Sequence, residues 1–326
     1  GMFGKWHLGY KQPYLPTNQG FDEFVGLAAG DGDHHSHIDR WGREDWWHHN
    51  KPAMEEGYSV ELITNHSKSF INKNRDNPFF LYIAHLAIHF PWQGPEDPSQ
   101  RKKGNSYEND KWGIIPDRNN VFPHVKSMVE SVDQSVGEIL STLQALNLDE
   151  NTLVIFTSDN GGYIHYNQQF HHISSNGQLR GQKAEVYEGG HRVPMIARWP
   201  GKIRENIISH ETAMTFDLLP TFLEFAGFKN EHLIKFYEQN PDAGLAEHRI
   251  APNSLEHFQF EHRLYSKDIS GFFTTSNSAG SFAMLASFAA IALLIQWFKK
   301  RNPDSLEIAW LIMRVIAVTI VCLGLV

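Results

Sequence analysis

Three short apolar runs along the chain have the pattern of β-strands. Residues 79–84 (FFLYIA) form an unbroken apolar run behind an Asn-Pro pair, and residues 152–157 (TLVIFT) end sharply at Asp-Asn-Gly-Gly. Unbroken runs of this length are typical of strands that are buried on both faces of a sheet. A third run, residues 193–199 (VPMIARW), ends at Pro-Gly and predicts another strand.

A long amphipathic segment lies between the first two of these runs. Its apolar residues recur at intervals of three and four, with polar residues between them, which predicts a helix. They are Val125, Met128, Val129, Val132, Val136, Ile139, Leu140 and Leu143. A second helix, kinked at Pro220, is predicted for residues 216–225 (FDLLPTFLEF). The order strand, helix, strand, strand, helix predicts a layered α/β domain with a largely parallel sheet.

The last part of the chain has a different hydrophobic pattern. Residues 279–298 and 308–326 are mostly apolar, and the short connection between them begins with Lys-Lys-Arg. Two such spans predict a transmembrane hairpin, whose basic loop would lie in the cytoplasm and whose α/β domain would face the periplasm or the exterior. Arg314 would be costly in mid-span unless it is paired. A pair of buried helices, or a tail joined by a reading-frame error, is the alternative.

The composition narrows the class of protein. The chain has 326 residues and a formal net charge of −8, which suits one large or two modest domains and argues against a nucleic-acid-binding protein. Its single cysteine, Cys322, lies in an apolar run, so no disulfide within the chain, cysteine zinc site or cysteine nucleophile is expected. The 19 histidines include a cluster at residues 34–37, and most of them are expected in surface loops.

Polar side chains that suit anion chemistry follow the predicted strands. Asp159 and Asn160 come directly after one strand, and their oxygen atoms suit a hard cation such as Ca²⁺ or Mg²⁺. His89 follows another strand, and Lys183 lies in a glycine-containing loop. Ligands of open α/β sheets bind at the carboxyl ends of the strands. A metal, lysines and histidines together suit an oxyanion monoester, either a sulfate or a phosphate ester.

Several motifs then occur in order and at ordinary spacing. They are GKWHLG (4–9), FFLYIAHLAIHFP (79–91), the segment from SVDQ to SDNGG (131–162), SNGQLRGQK (175–183) and YEGGHRVP (187–194). Together they resemble the type I sulfatases, the formylglycine-dependent arylsulfatases of the alkaline-phosphatase superfamily. The resemblance runs from Gly1 to about Gly227 and implies an α/β/α sandwich with a mostly parallel mixed sheet. The phrase AIHFPWQGPEDP is similar to carbohydrate sulfatases of the N-acetylgalactosamine-6-sulfatase type.

The resemblance implies catalytic roles for four side chains. Lys5 would contact both the sulfate and the hydrated formylglycine, and His7 would help to break down the sulfated hemiacetal. His89 would touch the sulfate, and Lys183 would bind sulfate and steady the leaving oxygen. Other motif positions are interpreted as structural, namely Arg180, Glu188, Gly189, Gly190 and Arg192.

The resemblance also implies a Ca²⁺ ion, with Asp159 and Asn160 as two of its ligands. The family's nucleophile is a Cys or Ser of a C/S-x-P-S-R motif that is converted to formylglycine, and the family's early Asp-Asp pair supplies further calcium ligands. Neither feature occurs in this sequence. We expect both to belong to a missing N-terminal part, so that the chain by itself would be inactive.

The function expected from the resemblance is hydrolysis of sulfate monoesters, with sulfated carbohydrates or aryl sulfates as substrates. The alternatives are a phosphonate or phosphodiester hydrolase of the same superfamily and a non-catalytic, membrane-anchored carbohydrate-binding protein. The expected organisation is a catalytic domain at 1–228, a divergent region at 229–278 and the transmembrane hairpin at 279–326. Aromatic rings stack on sugars, so Trp46 and Trp47 are candidates for a sugar subsite, with a packed Trp pair as the alternative.

Overall fold

The computed structural model describes residues 1–113, 120–164, 173–210, 213–226, 238–239, 241, 251–254 and 257. Its strands are β1 (Met2–Gly4), β2 (Phe24–Gly26), β3 (Trp47–His48), β4 (Lys51–Pro52), β5 (Tyr82–Ala84), β6 (Val154–Thr157) and β7 (Met195–Arg198). Its α-helices are α1 (Ser59–Lys73), α2 (Phe122–Ala145), α3 (Glu188–His191) and α4 (Leu218–Phe225). The chain divides into two units, Gly1–Ile207 and Ile208–Val326, and of the strands and α-helices just given only α4 belongs to the second.

The main sheet is mixed and has the strand order β4-β3-β2-β1-β5. Among the described residues, β1 pairs parallel with β2 and with β5, whereas β2 with β3 and β3 with β4 pair antiparallel. Only His49 and Asn50 separate β3 from β4, and so short a turn requires antiparallel strands. The strands β6 and β7 form a second, antiparallel sheet. A mixed α/β sheet is therefore confirmed, but the prediction of a largely parallel one was wrong.

Two helices pack together on one face of the main sheet. Helix α2 is confirmed and buries Val125, Met128 and Leu143 of its predicted apolar face, whereas Val129 of that face is 48% exposed. Helix α1 was not predicted, because small polar residues interrupt its apolar stripe. Its buried positions are Ser59, Val60, Ile63, Thr64, Ser67, Phe70 and Ile71. Phe3 of β1 packs with the α1 side of this core, so the first strand and the unpredicted helix stabilise each other.

A buried polar contact joins α1, α2 and the segment after β5. The Thr64 hydroxyl donates to the Val60 carbonyl over 2.6 Å, so it accepts a hydrogen bond from the Ser135 hydroxyl over 2.6 Å. His85 Nε2 lies 3.0 Å from the same Ser135 oxygen. Burial lowers the pKa of His85 to about 4, so this ring is neutral near pH 7. His85 therefore connects the segment after β5 to the two helices.

The predicted strands are shorter and more exposed than their apolar runs indicated. Tyr82 in β5 is 46% exposed, and Phe156 in β6 is 47% exposed, so burial on both faces was a wrong prediction. The cause lies in the sheet topology. Within the described residues, β5 pairs only with β1 and β6 pairs only with β7, so each has one edge without a strand partner.

In the second unit, a 3₁₀ turn at Thr215–Asp217 leads into α4. Pro220 is the third residue of α4 and lies in its first turn. Backbone N–H groups in the first turn have no partner within the helix, so the N–H that proline lacks is not needed there. The predicted hairpin at 279–326 and almost all of the region at 229–278 lie outside the described residues. Among the residues that are described, none of the helices has the length and apolar character needed to cross a bilayer.

Glycines at two positions provide a test of this fold. Gly4 ends β1 with φ 114°, and a Cβ at that position would overlap the Ala84 carbonyl of β5. We expect Gly4→Ala to lower the free energy of unfolding by about 2–4 kcal/mol, measured by urea denaturation. Gly137 in α2 is exposed, and a Cβ there would meet open space. Gly137→Ala should raise the free energy by about 0.5–1 kcal/mol, and equal midpoints for the two variants would contradict this packing.

Candidate active site

Lys5 and His7 follow strand β1, which lies between β2 and β5. The Lys5 N–H donates to the Ala84 carbonyl over 2.7 Å, and the His7 N–H donates to the Ala28 carbonyl over 3.2 Å. The segment therefore continues between the carboxyl ends of β5 and β2. His7 has φ 56°, in the left-handed region, and its ring lies where a Cβ on Gly30 would stand. The His7 ring can therefore approach the loop this closely only because residue 30 is a glycine and has no Cβ.

His89 lies after β5 and is held through its backbone. Its carbonyl oxygen lies 3.1 Å from His34 Nε2, and His34 Nδ1 lies 2.8 Å from Ser59 Oγ. A carbonyl can only accept, so Nε2 of His34 donates and Nδ1 accepts from the Ser59 hydroxyl. His89 Nδ1 likewise donates to the Phe90 carbonyl over 2.8 Å. The Nε2 atom of His89 is then the nitrogen that can accept a proton.

The turn after β6 is connected to the loop that carries Lys183. The side chain of Asn176 accepts a hydrogen bond from the Gly162 N–H over 2.8 Å and donates to the Gly162 carbonyl over 3.0 Å. The same amide donates to the Gly181 carbonyl over 3.0 Å, and the Lys183 N–H donates to the Gly162 carbonyl over 3.1 Å. These hydrogen bonds hold Lys183 next to the turn at residues 159–162, which we call the Asp159 turn.

The sequence did not identify Asn176 as part of this site. Its Asn-Gly dipeptide indicates a turn, but no local pattern shows that its side chain joins two loops. The glycine pair of the motif YEGGHRVP (187–194) makes its contacts through the backbone. The Gly161 N–H donates to the Gly190 carbonyl, and the Gly189 N–H donates to the Arg180 carbonyl.

Lys5 and Lys183 are close enough to act on each other. The pKa of Lys5 falls from 10.5 to about 8; burial is the main cause, followed by the positive charge of Lys183. The negative charges of Asp159 and Asp31 oppose this decrease. Two partly buried ammonium groups in one place repel each other, and a bound anion would relieve the repulsion.

The positive charges of Lys5 and Lys183 also act on His7 and His89. Burial lowers the pKa of His7, and the charges of Lys5 and Lys183 lower it further. Burial and the same two lysines hold the pKa of His89 well below 6.5. The structure thus brings Lys5, His7, His89, Lys183 and the Asp159 turn together, all within the first unit. Their catalytic roles stay predictions.

The Asp159 turn offers two side chains with oxygen atoms that could bind a cation. The Asp159 side chain is exposed, and Asn160 uses its amide nitrogen to donate to the Gly161 carbonyl over 3.0 Å, which leaves its side-chain oxygen as a ligand. Among the described residues, Asp159 belongs to no group of three His, Cys, Asp or Glu side chains that could hold an ion. Since Ca²⁺ takes six to eight oxygen ligands, these two residues could supply only part of its coordination.

The His-rich loop is largely buried, contrary to the expectation of surface histidines. His34 and His37 are 0% exposed, and burial lowers the pKa of each to about 4. In the same loop Asp31 accepts hydrogen bonds from Arg40 and from the buried Arg101. The charges of Asp31 and Arg40 both act on Lys5. Sequence reasoning missed these two residues, because only the fold brings residues 31–40 next to Lys5.

The proposed role of Trp46 in a sugar subsite was wrong. Trp46 is 0% exposed, its ring centroid lies 4.3 Å from that of His37, and its N–H donates to Glu55 over 2.7 Å. It is a packed core residue. Trp47 is half-buried, and its N–H donates to Asp45 over 2.8 Å.

Known proteins resemble the part of the chain that carries this site. N-acetylgalactosamine-6-sulfatase from Mus musculus is 34% identical, over 70% of this chain and 42% of that protein. N-acetylgalactosamine-6-O-sulfatase from Bacteroides thetaiotaomicron is 33% identical, over 59% of this chain and 35% of that protein. The chain thus spans less than half the length of these relatives.

A solved structure shares the fold. The crystal structure of Ps i-CgsB in complex with k-i-k-neocarrahexaose superposes with a TM-score of 0.56 and 28% identity, over 70% of this chain and 51% of that chain. The profile of the Sulfatase family matches residues 1–228, which is more than half of the 326 residues. The chain therefore belongs to the sulfatase family.

Proposed function

We propose that the protein hydrolyses sulfate monoesters and that this chain supplies the anion-binding part of the site. The observation that carries the proposal is the pairing of Lys5 with Lys183 in a partly buried position, where the positive charge of Lys183 lowers the pKa of Lys5. An oxyanion placed between them would interact with both charges. The Asp159 turn beside them offers oxygen ligands for a cation on the same anion.

Each side chain of the site has a task in this proposal. Lys5 and Lys183 hold the sulfate oxygens and stabilise charge as the ester bond breaks. His89 contacts the sulfate, and His7 acts as an acid or base when the sulfate is released. Asp159 and Asn160 would hold Ca²⁺, which would neutralise negative charge on the sulfate. The attacking group would be a formylglycine outside these 326 residues.

Sulfated carbohydrates are the proposed substrates. The mouse and Bacteroides relatives are named for the 6-sulfate of N-acetylgalactosamine, and the Ps i-CgsB structure contains a neocarrahexaose. Substrates of this kind are large and polar. A location in the periplasm or outside the cell, with attachment through the hairpin predicted at 279–326, would give the enzyme access to them.

Binding of inorganic sulfate tests the anion site separately from catalysis. With calcium present, isothermal titration calorimetry should show sulfate binding to the full chain. Replacing either lysine (Lys5→Met or Lys183→Gln) should weaken binding about 10- to 100-fold, because each removes one charge-assisted contact.

The matched control is Lys126→Gln. Lys126 lies on α2, is 61% exposed and forms an ion pair with Glu130, away from the candidate site. Its removal should leave sulfate affinity unchanged. Equal sulfate affinity in all three variants and the parent chain would show that the two site lysines do not bind the anion.

The low pKa of Lys5 predicts a pH dependence. Below about pH 8 the ammonium group is charged and can bind sulfate, whereas above it the group is neutral in the empty site. The dissociation constant should therefore rise by up to about tenfold per pH unit above pH 8, since binding then requires uptake of a proton. In Lys5→Arg the side chain stays charged, and the rise should be smaller. The same dissociation constant at pH 7 and pH 9.5 for the parent chain would contradict the shift.

Turnover requires a nucleophile, so the coding sequence upstream of residue 1 is the first thing to read. An in-frame C/S-x-P-S-R motif there would support the enzyme, and an open frame without it would favour a carbohydrate-binding protein. The protein expressed from its natural start should then hydrolyse an aryl sulfate faster than a phosphodiester of the same alcohol. The reverse preference would indicate the phosphodiesterase alternative.

A further inference from the structure

A second group of potential metal ligands lies on the antiparallel side of the main sheet. His48 is in β3, Glu55 follows β4, and His66 lies in the middle of α1. Each residue offers one ligand atom, and these three atoms lie within 4.8 Å of one another. The group joins strand β3, the segment after β4 and helix α1, and none of its members belongs to the candidate active site.

The two imidazoles lie close to the same oxygen of the Glu55 carboxylate. Glu55 Oε2 lies 2.9 Å from His66 Nε2 and 3.2 Å from His48 Nε2. Ligands about 2.0–2.2 Å from a tetrahedral ion are about 3.4 Å apart, so small side-chain movements would admit an ion between them. Each of the three side chains is about one-third exposed, which leaves a route for the ion and for a water molecule as fourth ligand.

The nitrogen of His48 is the strongest sign of a ligand. His48 Nε2 is shielded from solvent and makes no hydrogen bond, although the Glu55 carboxylate is adjacent. A buried polar atom without a hydrogen bond is costly in a folded protein. A bound cation would use the lone pair of this nitrogen and the charge of the carboxylate together.

The surroundings hold two of the three ligands in place. The Trp46 N–H donates to Glu55 Oε2 over 2.7 Å and fixes the carboxylate from the protein interior. The ring of Phe3 stacks on the ring of His66, with centroids 6.1 Å apart. A hydrogen-bond donor behind a ligand, such as the Trp46 N–H, orients the metal-binding side chain and strengthens ion binding.

We propose that His48, Glu55 and His66 bind a transition-metal ion, with Zn²⁺ as the preferred ion and a water molecule as fourth ligand. Two imidazoles and one carboxylate are a ligand set typical of Zn²⁺, whereas Ca²⁺ prefers oxygen ligands alone. The ion would fasten α1 to the β3–β4 hairpin. The proposal does not depend on the sulfatase reaction.

Cobalt and zinc titrations of the full chain test the site directly. After removal of metals with a chelator, one equivalent of Co²⁺ should bind and give the visible absorption bands of a four-coordinate ion. Zn²⁺ should displace the Co²⁺ and raise the melting temperature, and excess Ca²⁺ should not displace the Co²⁺. Parent chain that shows no Co²⁺ bands and no rise in melting temperature with Zn²⁺ would overturn the proposal, whatever the variants do.

Variants locate the ion. His48→Gln and His66→Gln should each weaken Zn²⁺ binding at least tenfold, and Trp46→Phe should weaken it about tenfold by removing the N–H behind Glu55. The matched control is His49→Asn, since this neighbouring histidine is exposed, lies outside the group, and has φ 54°, which Asn tolerates. Asp159→Ala should also retain the site. Unchanged Zn²⁺ affinity in both glutamine variants, or its loss in His49→Asn, would place the ion elsewhere and overturn the assignment.

Discussion

Parallel strands bring their carboxyl ends to the same edge of a sheet, and β1 lies between β2 and β5 in this one. Lys5 follows β1, the loop with Asp31 follows β2, and His89 follows β5. The backbone bonds that continue this pairing beyond Gly4 therefore fix the distance between the lysine and its neighbours. The absence of a side chain on Gly4 permits that pairing, because the Ala84 carbonyl occupies the space of a Cβ.

Placing two lysines together has an electrostatic cost that the fold must support. Lys183 lowers the pKa of Lys5, and both lysines lower the pKa of His7 and His89. The backbone of each group is anchored by hydrogen bonds, so the groups cannot easily move apart. Such a site is poor for stability, but its positive charges are already arranged for an anionic group, as expected of a family named for sulfate esters.

The histidines of this chain serve several different physical purposes. His34 is buried and neutral, and it holds the backbone of His89 through its ring nitrogen. His85 joins two helices to a strand. His48 and His66 face a shared carboxylate in another part of the same unit. Composition alone makes these residues look equivalent, because the role of an imidazole depends on burial and on the partner of each nitrogen.

The sequence by itself determined the family, the long helix α2, the approximate positions of β5, β6 and β7, and the motifs that carry Lys5, His89 and Lys183. Those features depend on local periodicity or on short motifs, which a single chain segment contains in full. Tertiary structure alone decided the mixed strand pairing, the helix α1, the burial of Trp46 and the link made by Asn176. These features depend on contacts between residues far apart in the chain, and no local pattern records which distant groups will meet.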